Sequence, residues 1–119
     1  MMLVKDADTR GFELTAVAEP LSGIAGKLLR NKVRKAIQNG KLSHLLDLRG
    51  LSELDSASLA VLIRVLRVVR EAGGDVGLIV EQEKILRILS ITALDRVFPV
   101  FRDEAAAERG LDIARAIPA

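Results

Sequence analysis

The spacing of hydrophobic residues divides this chain into helical and extended stretches. From Ile24 to Gln38, apolar residues recur at three- and four-residue intervals, which predicts a helix that Asn39-Gly40 would end. Its apolar positions are Leu28, Leu29, Val33, Ala36 and Ile37. The same spacing predicts helices over residues 57–72, 82–90 and 103–116.

Shorter apolar runs between these helices predict strands. Residues 12–17 alternate loosely, and with Leu3-Val4 and a turn-like segment at 8–11 they predict a hairpin. Residues 42–48 and 76–80 predict buried strands, and 97–101 predict an edge strand, where Pro99 is tolerated. This order predicts one α/β domain over residues 1–119, with a mostly parallel central sheet of roughly four to six strands and about four helices packed against it.

The helix predicted over residues 57–72 is more apolar than a single packing face requires. Its polar stripe is narrow, and the apolar arc, which includes Val61, Val65 and Val68, covers about 200° of the helix surface. Two explanations are open. Neighbouring helices cover the extra surface, or part of it contacts a partner protein.

The reactive side chains of the sequence argue against an enzyme. The chain has no Cys, Tyr or Trp and a single His, His44, and no side chains occur at metal-ligand spacing. Ser56 follows a predicted strand, but Leu54 and Ser58 replace the glycines that a hydrolase nucleophile turn needs. We therefore expect no catalytic residue, no metal site and no cofactor.

Net positive charge is concentrated in about a quarter of the chain, although the formal net charge of the whole is only +2. Between Glu19 and Asp47 there are six basic residues and no acid: Lys27, Arg30, Lys32, Arg34, Lys35 and Lys41. This run is compatible with a solvated helix face, an acidic protein partner, an anionic membrane or a nucleic acid. Because the run contains no aromatic side chain for base stacking, we expect no nucleic-acid partner.

The N-terminal sequence and the length of the apolar runs indicate where in the cell the protein is expected. Charged residues occupy the region where a signal peptide needs an apolar core, and no apolar run approaches the ~18 residues of a membrane span. The absence of Cys suits a reducing compartment. We expect a cytoplasmic protein without direct membrane insertion.

The junction at Asp55-Ser56 joins a predicted strand and loop to the second helix. Either side chain could accept a hydrogen bond from the backbone N–H groups that open the helix. A serine at this position would be exposed, and a phosphate added there would lie beside the partial positive charge of the helix N-terminus. Capping and regulation by phosphorylation are therefore both compatible with the junction.

Three consecutive motifs around this junction resemble the signature of the STAS domain, a family named for sulfate transporters and anti-sigma factor antagonists. The motifs are Leu46-Asp47-Leu48-Arg49-Gly50-Leu51, Leu54-Asp55-Ser56-Ala57 and Leu59-Ala60-Val61-Leu62. Downstream, Gly73-Gly74 and the segment 94–101 are also similar to the family pattern. Where family members usually carry glycine two positions after the serine, this chain has Ser58.

The resemblance implies a small regulator that binds an anti-sigma factor and so frees a sigma factor for transcription. The anti-sigma factor is commonly also a serine kinase, whose target maps onto Ser56, and a PP2C-type phosphatase reverses the modification. Ser58 is a second candidate acceptor. The partner-binding surface would comprise Asp55, Ser56, Ala57 and Ser58, and the apolar arc adds Val61 and Val65.

Relatives that use the same fold differently supply the alternative. They act as subunits of a signalling scaffold, or as the small cytoplasmic subunit of a membrane lipid ABC transporter. In these relatives the acceptor serine need not be phosphorylated. The oligomeric state is open on either interpretation.

Overall fold

The computed structural model describes residues 2–9, 12–17 and 21–116, with side chains over 13–17 and 21–110. In chain order the elements are β1 (Met2–Thr9), β2 (Phe12–Val17), α1 (Ile24–Gln38), β3 (Ser43–Asp47), α2 (Ser56–Glu71), β4 (Asp75–Ile79), α3 (Glu83–Ile91), β5 (Val100–Phe101) and α4 (Glu104–Ala116). A short 3₁₀ helix, Leu94–Arg96, lies between α3 and β5.

The described strands form one sheet in the order β1-β2-β3-β4-β5. β1 pairs with β2 in the antiparallel direction, and β2 through β5 run parallel. The pairing of Met2 with Val17 and of Thr9 with Phe12 confirms the predicted hairpin, although residues 10 and 11 of its turn lie outside the described residues. The α/β architecture with a mostly parallel sheet is confirmed.

Alternate residues of the strands supply two separate hydrophobic layers, one on each face of the sheet. Leu46 and Leu78 belong to the larger layer, which they share with buried side chains of α1, α2 and α3. Leu45 and Ile79 point to the opposite layer, where Ala107 of α4 and Phe101 cover them. Because both faces are covered, neighbouring residues that point to opposite faces are both buried, Leu45 and Leu46 in β3 and Leu78 and Ile79 in β4, as expected for parallel strands.

The helix ends follow local signals that the sequence carries. α1 spans the predicted residues, and after Asn39 the backbone of Gly40 turns to a φ of 82°, a conformation that glycine adopts without strain. α2 is followed at Gly73 by a similar turn with a φ of 86°. No helix within the described residues is long and apolar enough to span a membrane.

The last predicted strand is wrong over its first half. Residues 97–99 follow the 3₁₀ turn, in which the Phe98 N–H donates to the carbonyl of Leu94 at 2.8 Å, and only Val100–Phe101 pair with β4. Pro99 has no N–H to donate, but its carbonyl accepts from Leu78 at 2.8 Å, so pairing begins with this acceptor.

One face of α1 also differs from the prediction. Leu28, expected in the apolar stripe, is 52% exposed, whereas Leu29 and Val33 are fully buried. Lys32 instead turns inward and donates to Glu13 Oε1 at 2.9 Å and to Thr15 Oγ1 at 3.0 Å, both on β2. Part of the basic run is therefore used to hold α1 on the sheet.

Candidate functional site

Asp55 caps the N-terminus of α2. Its backbone is extended, with φ −83° and ψ 174°, and its Oδ1 accepts a hydrogen bond from the Ser58 N–H at 2.8 Å. The Leu59 N–H donates to the Asp55 carbonyl at 3.0 Å, which closes the first helical turn. Of the two capping residues that the sequence allowed, the aspartate takes the role.

The charge of Asp55 is favoured by its surroundings. The Ser58 side chain and the Ser58 backbone N–H both lower the pKa of Asp55: the nearby hydroxyl favours the negative charge without forming a hydrogen bond, and the N–H donates to the carboxylate. Asp55 is exposed. At neutral pH the surface at the start of α2 therefore carries a negative charge directly before Ser56.

Ser56 and Ala57 are exposed, whereas Ser58 is fully buried. Ser56 is the first residue of α2, and its hydroxyl faces the surface beside the Asp55 cap. The Ser58 hydroxyl has no hydrogen-bond partner within the described residues, despite its proximity to the Asp55 carboxylate. The side chain of Ser56 is therefore accessible on the folded protein, whereas that of Ser58 is enclosed.

Val61 and Val65, which the sequence predicts to contact a partner, are buried, whereas Ser56 is exposed. Val65 is fully buried, and Val61 is 8% exposed beneath α1. Neighbouring elements therefore cover this part of the apolar arc. This agrees with the first explanation given for the arc, that neighbouring helices bury it. Val65 offers no surface to a partner in this conformation, while Val61 reaches the floor of an open groove between α1 and α2.

The match to a protein-family model decides the family. The STAS domain model matches residues 9–107, which include all of the motifs named above. The chain belongs to the STAS domain family.

Relatives of this STAS domain are anti-sigma factor antagonists or candidates for that role. An anti-sigma F factor antagonist of Paenibacillus polymyxa is 23% identical over 105 residues, which cover 87% of this chain and 90% of the relative. A candidate antagonist of Thermotoga neapolitana is 39% identical over 57 residues, which cover 48% of this chain. That match spans only 50% of the relative's own length.

A solved STAS structure confirms the architecture. The crystal structure of a candidate anti-sigma factor antagonist from Thermotoga maritima superimposes with a TM-score of 0.79 at 25% sequence identity. The superposition covers 92% of this chain and 93% of the other. The arrangement of sheet and helices that positions the Asp55-Ser56 junction is thus shared.

The motif residues before the junction in this STAS domain form a clamp at the end of β3. Arg49 donates through Nε and Nη2 to the two carboxylate oxygens of Asp47, at 2.9 and 2.8 Å, and its backbone N–H donates to the same carboxylate at 3.0 Å. Arg49 also lies 3.6 Å from Glu104 of α4. The charged side chains of Asp47 and Arg49 therefore fix the conformation of the loop between β3 and α2.

Gln82 is a positioning residue that the sequence did not indicate. Its Nε2 lies within hydrogen-bond distance of the carbonyls of Leu48, Arg49 and Leu51, at 2.9, 3.1 and 2.6 Å, and its two N–H groups are shared among these three acceptors. These bonds tie the loop before Asp55 to the start of α3. No local pattern announces them, because the partners lie more than thirty residues away along the chain.

His44, the single histidine, is buried at the start of β3. Its Nε2 lies 3.0 Å from the Lys41 carbonyl, and burial is the main cause that lowers its pKa. Among the described residues, no group of three or more His, Cys, Asp or Glu side chains could hold a metal ion. His44 therefore belongs to the packing of β3 and lies apart from the junction.

Proposed function

We propose that this protein is an anti-sigma factor antagonist that acts by binding in the cytoplasm and is switched off by phosphorylation at Ser56. The observation that carries the proposal is the exposed serine at the first position of α2, directly after the Asp55 cap. Its partner would be an anti-sigma factor with serine kinase activity, and a PP2C-type phosphatase would restore the binding form.

The fold can accept a phosphate at Ser56. The side chain is exposed, and the cap is supplied by Asp55, so modification of Ser56 removes no described hydrogen bond. The added charge of roughly −1.5 to −2 would lie next to the positive end of the α2 dipole. We expect the phosphorylated protein to keep its structure.

Phosphorylation of Ser56 would weaken the binding of a docked partner, although it leaves the fold intact. A protein surface packed on the start of α2 would have to desolvate a dianion that lies beside the Asp55 carboxylate. Each 1.4 kcal/mol of this penalty weakens binding about tenfold. Phosphorylation would thus act on the interface and leave the antagonist itself folded.

The first test measures binding with substitutions at Ser56. We expect Ser56→Glu to raise the Kd for the anti-sigma factor of the same organism by about tenfold or more, and Ser56→Ala to bind normally. Isothermal titration calorimetry with the purified pair would measure both. Ser90→Glu is the matched control, because Ser90 is exposed on α3, away from the junction.

Phosphate mapping completes the test. After incubation with the kinase and ATP, mass spectrometry should locate phosphate on Ser56 in the wild type and none in Ser56→Ala. Normal circular dichroism of Ser56→Glu would show that the variant is folded. A folded Ser56→Glu protein that binds as tightly as the wild type would contradict the switch.

A further inference from the structure

A groove of about 280 Å³ separates the first halves of α1 and α2. Its apolar lining consists of small or nearly buried residues, Gly26, Ala57, Ala60 and Val61. Three cations also line it, Lys27 and Arg30 from α1 and Arg64 from α2. The groove thus combines an apolar floor with three positive charges, and none of its lining side chains is acidic.

Close contact between the two helices fixes the shape of the groove. A Cβ atom on Gly26 would lie 2.9 Å from Val61 Cγ2 and would also collide with the Leu21 carbonyl, so no larger residue fits there without movement. The two helices are among the most closely packed pairs of the molecule, and Leu29 and Val65 beneath them are fully buried. The cations are therefore held on a preformed surface.

The three cations of the groove have no ion pair within the described residues, unlike two other members of the basic run. Lys32 and Lys41 lie 2.9 and 3.4 Å from the carboxylate oxygens of Glu13. Lys27 and Arg64 are exposed, and Arg30 is half-buried. Three like charges around one groove repel one another, and an anionic ligand would relieve that repulsion.

Exposed apolar side chains lie beside these cations. Ile24 is 77% exposed and Leu28 is 52% exposed, one turn apart on the helix face next to Lys27. Large apolar side chains this exposed, next to uncompensated charge, are typical of a surface that a protein segment covers. A free phosphate ion would use the cations and leave this apolar ridge in water.

A nucleic acid or nucleotide fits the groove less well. Bases bind through stacking on aromatic side chains, and none lines the groove. The sequence contains three phenylalanines and no tyrosine or tryptophan, so aromatic stacking is scarce in the whole chain. The combination of cations with aliphatic side chains favours a ligand that offers carboxylates and aliphatic groups together.

We propose that this groove binds a short acidic, amphipathic segment of the protein partner, whose carboxylates pair with Lys27, Arg30 and Arg64 while its apolar side chains cover Ile24 and Leu28. The proposal rests on the proposed function in one respect, that the natural partner is a protein. Ala57 lines the groove and directly follows Ser56, so the acidic segment and the regulated serine belong to one continuous docking surface.

The test uses a synthetic acidic peptide and needs neither kinase nor anti-sigma factor. A capped peptide of about 12 residues, composed of glutamate, leucine and alanine, is titrated into the ¹⁵N-labelled protein. We expect saturable amide shifts confined to residues 22–30 and 56–64. The double variant Lys27→Glu/Arg64→Glu should weaken binding at least about tenfold.

The matched control is Arg34→Glu/Arg67→Glu, which makes the same charge change on the same two helices at exposed positions outside the groove. It should change the Kd less than about threefold. Equal losses in both double variants, or shifts scattered along the basic face, would overturn the proposal in favour of nonspecific attraction. Tighter binding of inorganic phosphate or a short oligonucleotide at the groove would also overturn it.

This design separates the two proposals. Peptide binding in the groove together with unaltered anti-sigma factor binding by Ser56→Glu would reject the switch and keep the docking groove. Loss of anti-sigma factor binding in Ser56→Glu without peptide binding would keep the switch and reject the groove. Circular dichroism of each double variant confirms that a lost interaction reflects charge and not unfolding.

Discussion

The first turn of α2 places three polar side chains in three different surroundings. Asp55 accepts a hydrogen bond from the Ser58 N–H, and Ser56 is exposed. The Ser58 hydroxyl is buried without a hydrogen-bond partner in the part of the chain that the structure describes. The cap was predictable, because aspartate before an apolar helix is a local signal. The burial of Ser58 was not predicted, since the family resemblance made Ser58 a second candidate acceptor and part of the partner surface. Leu62 and Val65 follow it at four- and seven-residue spacing on one buried stripe.

Ser58→Ala should stabilise the protein. The substitution removes a buried hydroxyl that forms no hydrogen bond within the described residues, keeps the N–H that donates to Asp55, and introduces a better helix former. We expect these gains to outweigh the loss of the hydroxyl's favourable interaction with the exposed Asp55 charge, so the free energy of unfolding should rise by about 1 kcal/mol. Ser58→Gly, which restores the residue usual in the family, should be about 1 kcal/mol less stable than Ser58→Ala. Urea denaturation would measure both variants.

Ser56→Ala is the control for this comparison, because Ser56 is exposed in the same helical turn. Its unfolding free energy should stay within about 0.5 kcal/mol of the wild type. A marked loss of stability in Ser58→Ala would mean that the hydroxyl has a partner, such as an ordered water, and would refute this account of its burial.

At the scale of elements, local patterns and distant contacts were predictable to different degrees. α1 and α2 begin and end within one residue of the prediction, because apolar periodicity and the glycines after each helix are local features. The exposed Leu28 and the 3₁₀ turn before β5 depend on which neighbours pack nearby. For the same reason, no sequence pattern indicated that Gln82 supports the loop before Asp55.

Gln82→Glu should destabilise that loop. Glutamate has the same shape but no N–H to donate, so the three backbone carbonyls lose the two N–H donors that they share and face a carboxylate instead. We expect the free energy of unfolding to fall by about 1–3 kcal/mol, and Gln82→Ala to fall by a similar amount. Amide exchange of Leu51, whose N–H donates to the Leu48 carbonyl at 3.0 Å, should become faster.

Lys84→Ala is the control for Gln82, because Lys84 is exposed two residues further along the chain, in the first turn of α3. Its stability and its exchange at Leu51 should match those of the wild type. If Gln82→Glu retained wild-type exchange at Leu51, the three hydrogen bonds would not be what holds the loop in solution.

At the scale of the whole molecule, the basic run is divided between two tasks. Lys32 and Lys41 pair with the buried Glu13, and this contact fixes α1 against β2 and the start of β3. Lys27 and Arg30 instead line the groove. The sequence predicted one positive surface, but only the packing of α1 on the sheet determines which cations turn inward and which stay available to a ligand.

Two buried titratable groups under α1 make stability depend on pH. Burial raises the pKa of Glu13, but hydrogen bonds and charges from Lys32 and Lys41 outweigh it and hold the pKa below its ordinary value. Burial lowers the pKa of His44, whose Nδ1 has no partner among described residues that could accept a proton from an imidazolium ring. The native protein therefore favours a charged Glu13 and a neutral His44.

Stability should consequently fall on acidification in two stages. Below about pH 6.5 the unfolded chain protonates His44 while the folded protein resists, so the free energy of unfolding falls until the pH passes the lowered folded pKa. Below about pH 4.5 the unfolded chain also protonates Glu13 before the native protein does, and the ion pairs with Lys32 and Lys41 are then lost. Urea denaturation between about pH 2 and pH 8 would follow both stages.

Substitutions assign each stage to its group. His44→Gln can still donate to the Lys41 carbonyl and cannot be protonated, so it should flatten the upper stage, which begins below about pH 6.5, even if it lowers stability at every pH. Glu13→Gln should leave that upper range unchanged and flatten the dependence below about pH 4.5. An unaltered upper stage in His44→Gln would show that the buried histidine is not its source, and that the native protein protonates His44 as readily as the unfolded chain does.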